Sequence, residues 1–506
     1  LTDVTPSGFV ITDSIFPYVN VPASGDTTFF LQGYFTSTGT CPQTLNTAYL
    51  AYADFDSLNH VTSNVDTLSD TSCVEVVRAC ITDTTIIFPD RTTSDSLETL
   101  FLNQTFFVQG TLYVVDDLTF ANCMVYMAPG AEIQVLGNST LSLGNTSLLA
   151  CDSMWQGVRI IHKGWVLLEN NSLIADAQEA IHTGGTGNVS IRNSSLLNNV
   201  TGVVIPDQQG VLYGGTLMLD GANIGMDAFF KPDYPHQPAH GLKPYAGILS
   251  NDAVLSIGAD YYRMNHFFNM NNGIRAYRSS LKLHNSDFKD IEVVQFYNNG
   301  TNQNGSAVCI MGDSETEAAS PSYLGMNPNP NNSRNVYRSR CGVYSTFAYT
   351  EVYNCIFDSV NYGIDERYLG AALESYLTSN TINAYQCSIN LMDNDGSDHI
   401  TVEYNTIKIL PLVKSGIGIY AGESNLHHTT SYIINGNSVR LLNATAGIQT
   451  AGVCNAQITF NTIELQKPLT YTAPTTSGID LGGGGGNFLS CNHVSGHTVD
   501  SVPRYG

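Results

Sequence analysis

Residues 431–448 read SYIINGNSVRLLNATAGI, and the same grammar flanks them on both sides. Upstream lies TVEYNTIKILPLVKSGI (residues 401–417), and downstream lie AQITFNTIEL (456–465) and SGI (477–479). Each unit carries Asn, any residue, then an apolar one: Asn405-Thr406-Ile407, Asn437-Ser438-Val439 and Asn461-Thr462-Ile463. A Gly-Ile pair follows each time, at Gly416-Ile417, Gly447-Ile448 and Gly478-Ile479, 31 residues apart. Apolar residues alternate with Ser, Thr and Asn at a period of two, and no helical period is present. A short strand-rich unit cannot bury its apolar face alone, so it must stack on copies of itself. The expected fold is all-β, a right-handed parallel β-helix. Each inward Val, Ile or Leu then packs on its counterpart one turn along.

The grammar runs on through Asn492-His493-Val494 and back through Asn380-Thr381-Ile382 and Asn354-Cys355-Ile356 with Gly363-Ile364. It is also legible in GIRAYRSSLKLHNSDF (273–288, with Asn285) and VSIRNSSLLNNVTGVVI (189–205, with Asn193). Asn193, Asn285, Asn354, Asn380, Asn405, Asn437, Asn461 and Asn492 are therefore the expected corner residues. A corner Asn bonds its own backbone or the Asn one turn along, and it tolerates left-handed dihedrals. The Gly before Ile does similar work at another corner. A propeller or sandwich array competes with this reading, but it needs hairpin turns at regular intervals, and these are sparse.

The ladder becomes legible near Leu97, so residues 96–506 are assigned to the β-helix and 1–95 to an N-terminal β-rich domain or cap. An open solenoid end exposes unpaired strand edges and needs such a cover. Two insertions interrupt the ladder, at 230–247 and at 312–340, and QKPLTYTAPTT (466–476) forms a smaller bulge. Long loops on a regular scaffold are where function concentrates. Arg504-Tyr505-Gly506 falls where another corner glycine belongs, so the natural chain is expected to continue.

Only 13% of the residues are charged, and 21 basic against 44 acidic side chains give a formal net charge of −23. That balance repels nucleic acid and anionic membranes and suits an extracellular setting. No apolar run is long enough to span a membrane. The 11 cysteines include no CxxC pair. Disulfides are expected if the chain is secreted, most simply among Cys41, Cys73 and Cys80, and Cys151 stands one turn after Cys123, on which it could stack or to which it could bond.

The stretch CMVYMAPGAEIQVLGNSTLSLGNTSLLACDSMWQGVRI (123–160) resembles the first turns of secreted or cell-surface β-helix proteins of Gram-negative bacteria that use type IX secretion. The apolar YMAPGA edge, the STLSL turn and the MWQG segment carry the resemblance, which extends over about residues 97–506. It implies an extracellular or cell-surface protein without an assigned activity, and a carboxy-terminal sorting domain that this sequence lacks. It also implies O-glycosylation at Asp-Ser/Thr-apolar tripeptides, here at Ser14, Ser57, Thr67, Ser96 and Ser359.

Catalytic candidates are few. Polysaccharide lyases and hydrolases on this fold need paired carboxylates, or calcium with a base, on one face. The single Asp116-Asp117 pair stands without accompanying motifs, and Cys151 and Ser153 lack a nucleophile's partners. DNDGSDH (393–399) offers Asp393, Asp395 and Asp398 as hard oxygen ligands for a structural calcium, although a solvated acidic turn explains the same residues. No other cofactor is expected. His236 and His240 lie in a proline-rich loop that forbids the helix their spacing would need. DYYRMNHFF (260–268) reads as a patch packed under the insertion or a sugar-stacking platform. The first expectation is a non-catalytic extracellular structural or adhesive rod that self-associates into a filament or sheath, or binds other surface proteins. The alternative is a glycan-binding module or polysaccharide-active enzyme using the insertion-lined face.

Overall fold

The computed structural model describes residues 46–55, 61–70 and 80–496, the last range apart from 83, 185, 207–215, 259–262, 293–304, 314–318, 326–334, 370–373, 394–398, 412–415, 424–429, 443, 454, 467–476 and 483–485. The chain divides into two compact units, Leu1–Ile81 and Thr82–Gly506. In the first, Asn46–Phe55 and Val61–Asp70 pair as antiparallel strands.

The second unit is a right-handed parallel β-helix with three strands per turn. Thr105–Val108 lies on the first face, Thr111–Val114 on the second and Leu118–Ala121 on the third; Met124–Met127 then begins the next turn on the first face. Among the described residues the third face is a 15-stranded sheet, while the first and second merge into one of 29 strands. They merge because Ile356–Arg367 and Thr381–Met392 run around the corner between them. At about 4.8 Å per turn the stack is on the order of 70 Å long. Pairing starts before Leu97: Ile86–Phe88 pairs with Thr105–Val108, and Thr92–Thr93 with Leu112 and Tyr113. The Asn and Gly signals mark corners, and these first strands turn on Arg91 instead, which has a φ of 63°.

Inward columns make the core. On the second face, Ile133, Val158, Ile181, Val203, Ile248 and Ile274 are stacked partners in successive turns, and the column continues through Val343 and Ile389 to Ile448. All are buried. Its register corrects one sequence match: Ile448 stacks on Ile419, and Ile417 faces Ala446. A slip of two residues preserves strand alternation, so the 31-residue spacing alone could not exclude it. The glycine before the stacked residue is required by close approach. A Cβ at Gly447 would lie 2.6 Å from the Gly478 carbonyl oxygen. On the first face, Phe267, Phe288, Tyr337 and Phe357 stack with centroids 4.7, 5.4 and 4.6 Å apart. Phe267 is thus core and no sugar platform, while 260–262 of that stretch lie outside the described residues.

The corner from the third face to the first uses two adjacent positions where the sequence suggested one. Asn193, Asn285 and Asn354 adopt left-handed φ values of 45°, 46° and 54°. Asn380, Asn405, Asn437, Asn461 and Asn492 occupy the next position, directed inward. In each pair from Asn380 to Asn492, the Oδ1 of one turn accepts the backbone N–H and the Nδ2 of the Asn before it, at 2.9–3.0 Å. The left-handed position beside them is taken by Ser379, Tyr404, Gly436, Phe460 and Cys491. In earlier turns the inward position belongs to Cys123, Thr146, Ser172 and Ser194, and the hydroxyls of Thr146, Ser172 and Ser194 each accept the backbone N–H of the inward residue one turn before, at 3.2 Å.

Candidate functional site

The 230–247 insertion folds back over the MWQG segment. Met154 donates its N–H to Pro232 O at 2.8 Å, and Gln237 Nε2 lies 3.2 Å from Met154 Sδ. Lys231 Nζ donates to Ala150 O (2.5 Å) and Cys151 O (3.1 Å), with the Asp176 carboxylate 3.6 Å away. Burial raises the Asp176 carboxyl, and the Lys231 ammonium opposes the rise. Met154 and Trp155 are fully buried, and the indole N–H donates to Ala175 O at 2.8 Å. MWQG is therefore scaffold, and the insertion is tied to it.

This strap places Tyr234 over Gly130, at the edge where the first face turns into the second. Glu179, Arg159, Asp233 and Glu132 act electrostatically on the phenol. Its pKa is raised first by burial and then by the Glu179 carboxylate, with Arg159 pulling the other way. Glu132 is held by Gln134 Nε2 at 2.5 Å and by Thr111 Oγ1 at 3.4 Å. Glu179 pairs with His182 Nδ1 at 2.5 Å, both side chains partly exposed. The register partner of Glu132 on the following turn is Gly157, so no side chain separates the acid from that turn. Gly157 has a φ of 120°, and a Cβ there would collide with Glu179 O. The result is an open patch of acceptors, a guanidinium, an imidazole and one aromatic ring beneath a pinned loop. Side chains that both donate and accept, beside an aromatic face, match the hydroxyls and apolar faces of a sugar.

The same edge carries a groove of about 430 Å³ lined by Asp290, Glu292, Arg338, Arg340, Asp358 and Asn361, among others. Ser359 lines it too, exposed and with a φ of 60°. Of the other hydroxyls assigned to modification, Ser96 is exposed in the turn Ser94–Ser96, Thr67 lies in the strand Val61–Asp70, and Ser14 and Ser57 fall outside the described residues.

Asp393 is a corner residue with a φ of 53° whose N–H donates to Gly422 O, while Asp395 and Asp398 lie outside the described residues. Asp117 is structural, accepting Thr140 N–H at 2.8 Å. His240 pairs with Asp233 at 2.7 Å and rests edge-on against Phe230, whereas His236 is exposed. The two histidines share no site. Cys123 is a free buried thiol and Cys151 is disulfide-bonded, so these two are not bonded to each other. Cys80 is likewise disulfide-bonded.

Glu132, Arg159, Glu179 and His182 were missed in the sequence because no motif links acids and bases spread singly over several strands. Only the interruption of the ladder at 230–247, a loop able to carry function, pointed toward the stretch that holds Tyr234. No helix among the described residues is long and apolar enough to cross a membrane. No protein-family model matches the chain, and no curated protein matches it.

Proposed function

We propose that this chain is an extracellular, non-catalytic adhesive solenoid that binds a glycan along the edge beneath its 230–247 insertion. The observation that carries this reading is the strap that lays the Tyr234 ring over Gly130, on the edge where Glu132, Arg159 and Glu179 stand on successive turns and act electrostatically on its phenol. Building it requires a pinned insertion, and Lys231 and Met154 supply the pins. The chain's net charge of −23 disfavours anionic polymers and leaves neutral sugars as the preferred partners. The carboxylates are already engaged by Gln134 and His182, which suits them to hold hydroxyls.

The test is retention on gels cast with neutral polysaccharides, comparing wild type with Tyr234→Ala and Glu179→Gln. Binding that weakens at least tenfold in both variants supports the reading, and binding unchanged in both would sink it. Release of reducing ends or unsaturated products during incubation would replace adhesion with catalysis at the same carboxylates.

A further inference from the structure

We propose that Arg340 and its groove form a second sugar subsite on the same edge, so that the ligand is a neutral linear polysaccharide long enough to engage both. This second subsite rests on glycan binding at the Tyr234 patch and adds the class of polymer to it.

Three observations carry it. The groove, about 430 Å³, brings Asp290, Glu292 and Asp358 together with Arg338 and Arg340. Arg338 is already neutralised by Asp287, with hydrogen bonds of 2.6 and 2.7 Å. Arg340 is half-buried and forms no ion pair among the described residues, although three carboxylates line the same groove. A guanidinium fork beside carboxylates offers both donors and acceptors, which vicinal hydroxyls satisfy together. A polyanion would meet the three acids, whereas neutral hydroxyls bond to the acids and the guanidinium alike.

The second observation is position. Arg340 donates its N–H to Ile291 O and accepts from Asn361 and Tyr362, all at the corner between the first and second faces. Gln156 and Glu179 occupy the same corner in earlier turns, where Glu179 N–H donates to Gln156 O. Gly157 and Cys341 are six turns apart along the second face. At about 4.8 Å per turn that is roughly 29 Å along one straight edge. The third is that the 230–247 insertion returns to this edge, where it delivers Tyr234, while Arg338 and Arg340 belong to the coil itself, in and just after the strand Val336–Ser339. Two weak subsites held rigidly in line bind a spanning chain far better than a fragment, because the second contact becomes intramolecular.

The experiment uses the full chain, with affinity gels of mixed-linkage β-glucan, galactomannan and xylan, and calorimetry with short fragments of the same polymers. The expected result is that at least one polymer binds more than tenfold tighter than its fragments. Arg340→Ala erases that advantage, Arg340→Lys restores part of it, and both variants keep the wild-type melting temperature. Equal affinity for polymer and fragments, or an Arg340→Ala protein with undiminished polymer affinity, would overturn the second subsite and leave the Tyr234 patch standing. Retention of the wild type by none of the polymers would remove both.

Discussion

Replacing Asn405 with Ala should show how far the corner ladder holds the coil together. Its Nδ2 donates to Leu377 O (2.8 Å) and Asn437 Oδ1 (2.9 Å), and its Oδ1 accepts Asn380 N–H (2.9 Å) and Nδ2 (3.0 Å). The residue is 1% exposed, so water cannot replace these partners without opening the turn. A typical internal hydrogen bond contributes about 1 kcal/mol net, and an orphaned buried donor costs about 1–3 kcal/mol. Four lost bonds, one leaving the Asn380 N–H bare, amount to about 4 kcal/mol. The coil supplies its own comparison in Thr146 and Ser172, which fill the same inward position with a hydroxyl that accepts the N–H before it. That hydroxyl also donates to a carbonyl, at 3.0 Å to Phe120 O for Thr146 and 2.8 Å to Leu143 O for Ser172. Asn405→Ser should therefore recover roughly half of the loss. Urea denaturation gives the energies, and hydrogen exchange shows whether opening stays within the turns around Asn405, as a nearest-neighbour solenoid requires. An Asn405→Ala protein within about 1 kcal/mol of wild type would refute the assignment of stability to the ladder.

Three further perturbations have defined outcomes. Glu366 projects into the core, accepts one hydrogen bond from Ser375 (2.6 Å), and is pushed by burial to a pKa of about 7, with Ser375 lowering it and Asp365 raising it. The folded state therefore holds this proton more tightly than the unfolded chain. Its stabilisation is full below pH 4.5 and is lost as pH rises to about 7. Glu366→Gln should flatten that fall, which is on the order of 3 kcal/mol, in melting curves taken from about pH 4.5 to 8. Gly157→Ala places a Cβ against Glu179 O at a φ of 120°, so a loss of about 3 kcal/mol in the same denaturation assay is expected. Lys231→Met removes the ammonium from Ala150 O and Cys151 O, and limited proteolysis should then cut within 230–247 faster while the ladder stays intact.

The architecture was legible because period-two alternation and regularly spaced Asn and Gly are local signals that any stacked coil must repeat. Burial of one face of every strand leaves few other ways to fold such a chain. Register was less legible. Ile417 and Ile419 lie on the same side of their strand, and only the neighbouring turn selects Ile419 as the partner of Ile448. The division of the corner into a left-handed residue and an inward hydrogen-bonding one was hidden for the same reason. Asn serves at both positions, so Asn354 and Asn380 look alike in sequence, yet one turns the chain and the other bonds through the core.

The candidate site was beyond the sequence altogether. Composition sets an expectation against nucleic acid and anionic membranes, and the insertion at 230–247 marked a loop able to carry function. Which turns that loop returns to depends on Lys231 finding the carbonyls of Ala150 and Cys151, some 80 residues earlier. Glu132, Arg159 and Glu179 become neighbours only because each turn of the coil advances about 4.8 Å while the chain runs on by more than 20 residues. Local periodicity specifies a coil; the juxtaposition of single side chains from different turns is created by stacking, and so exists only in the folded molecule.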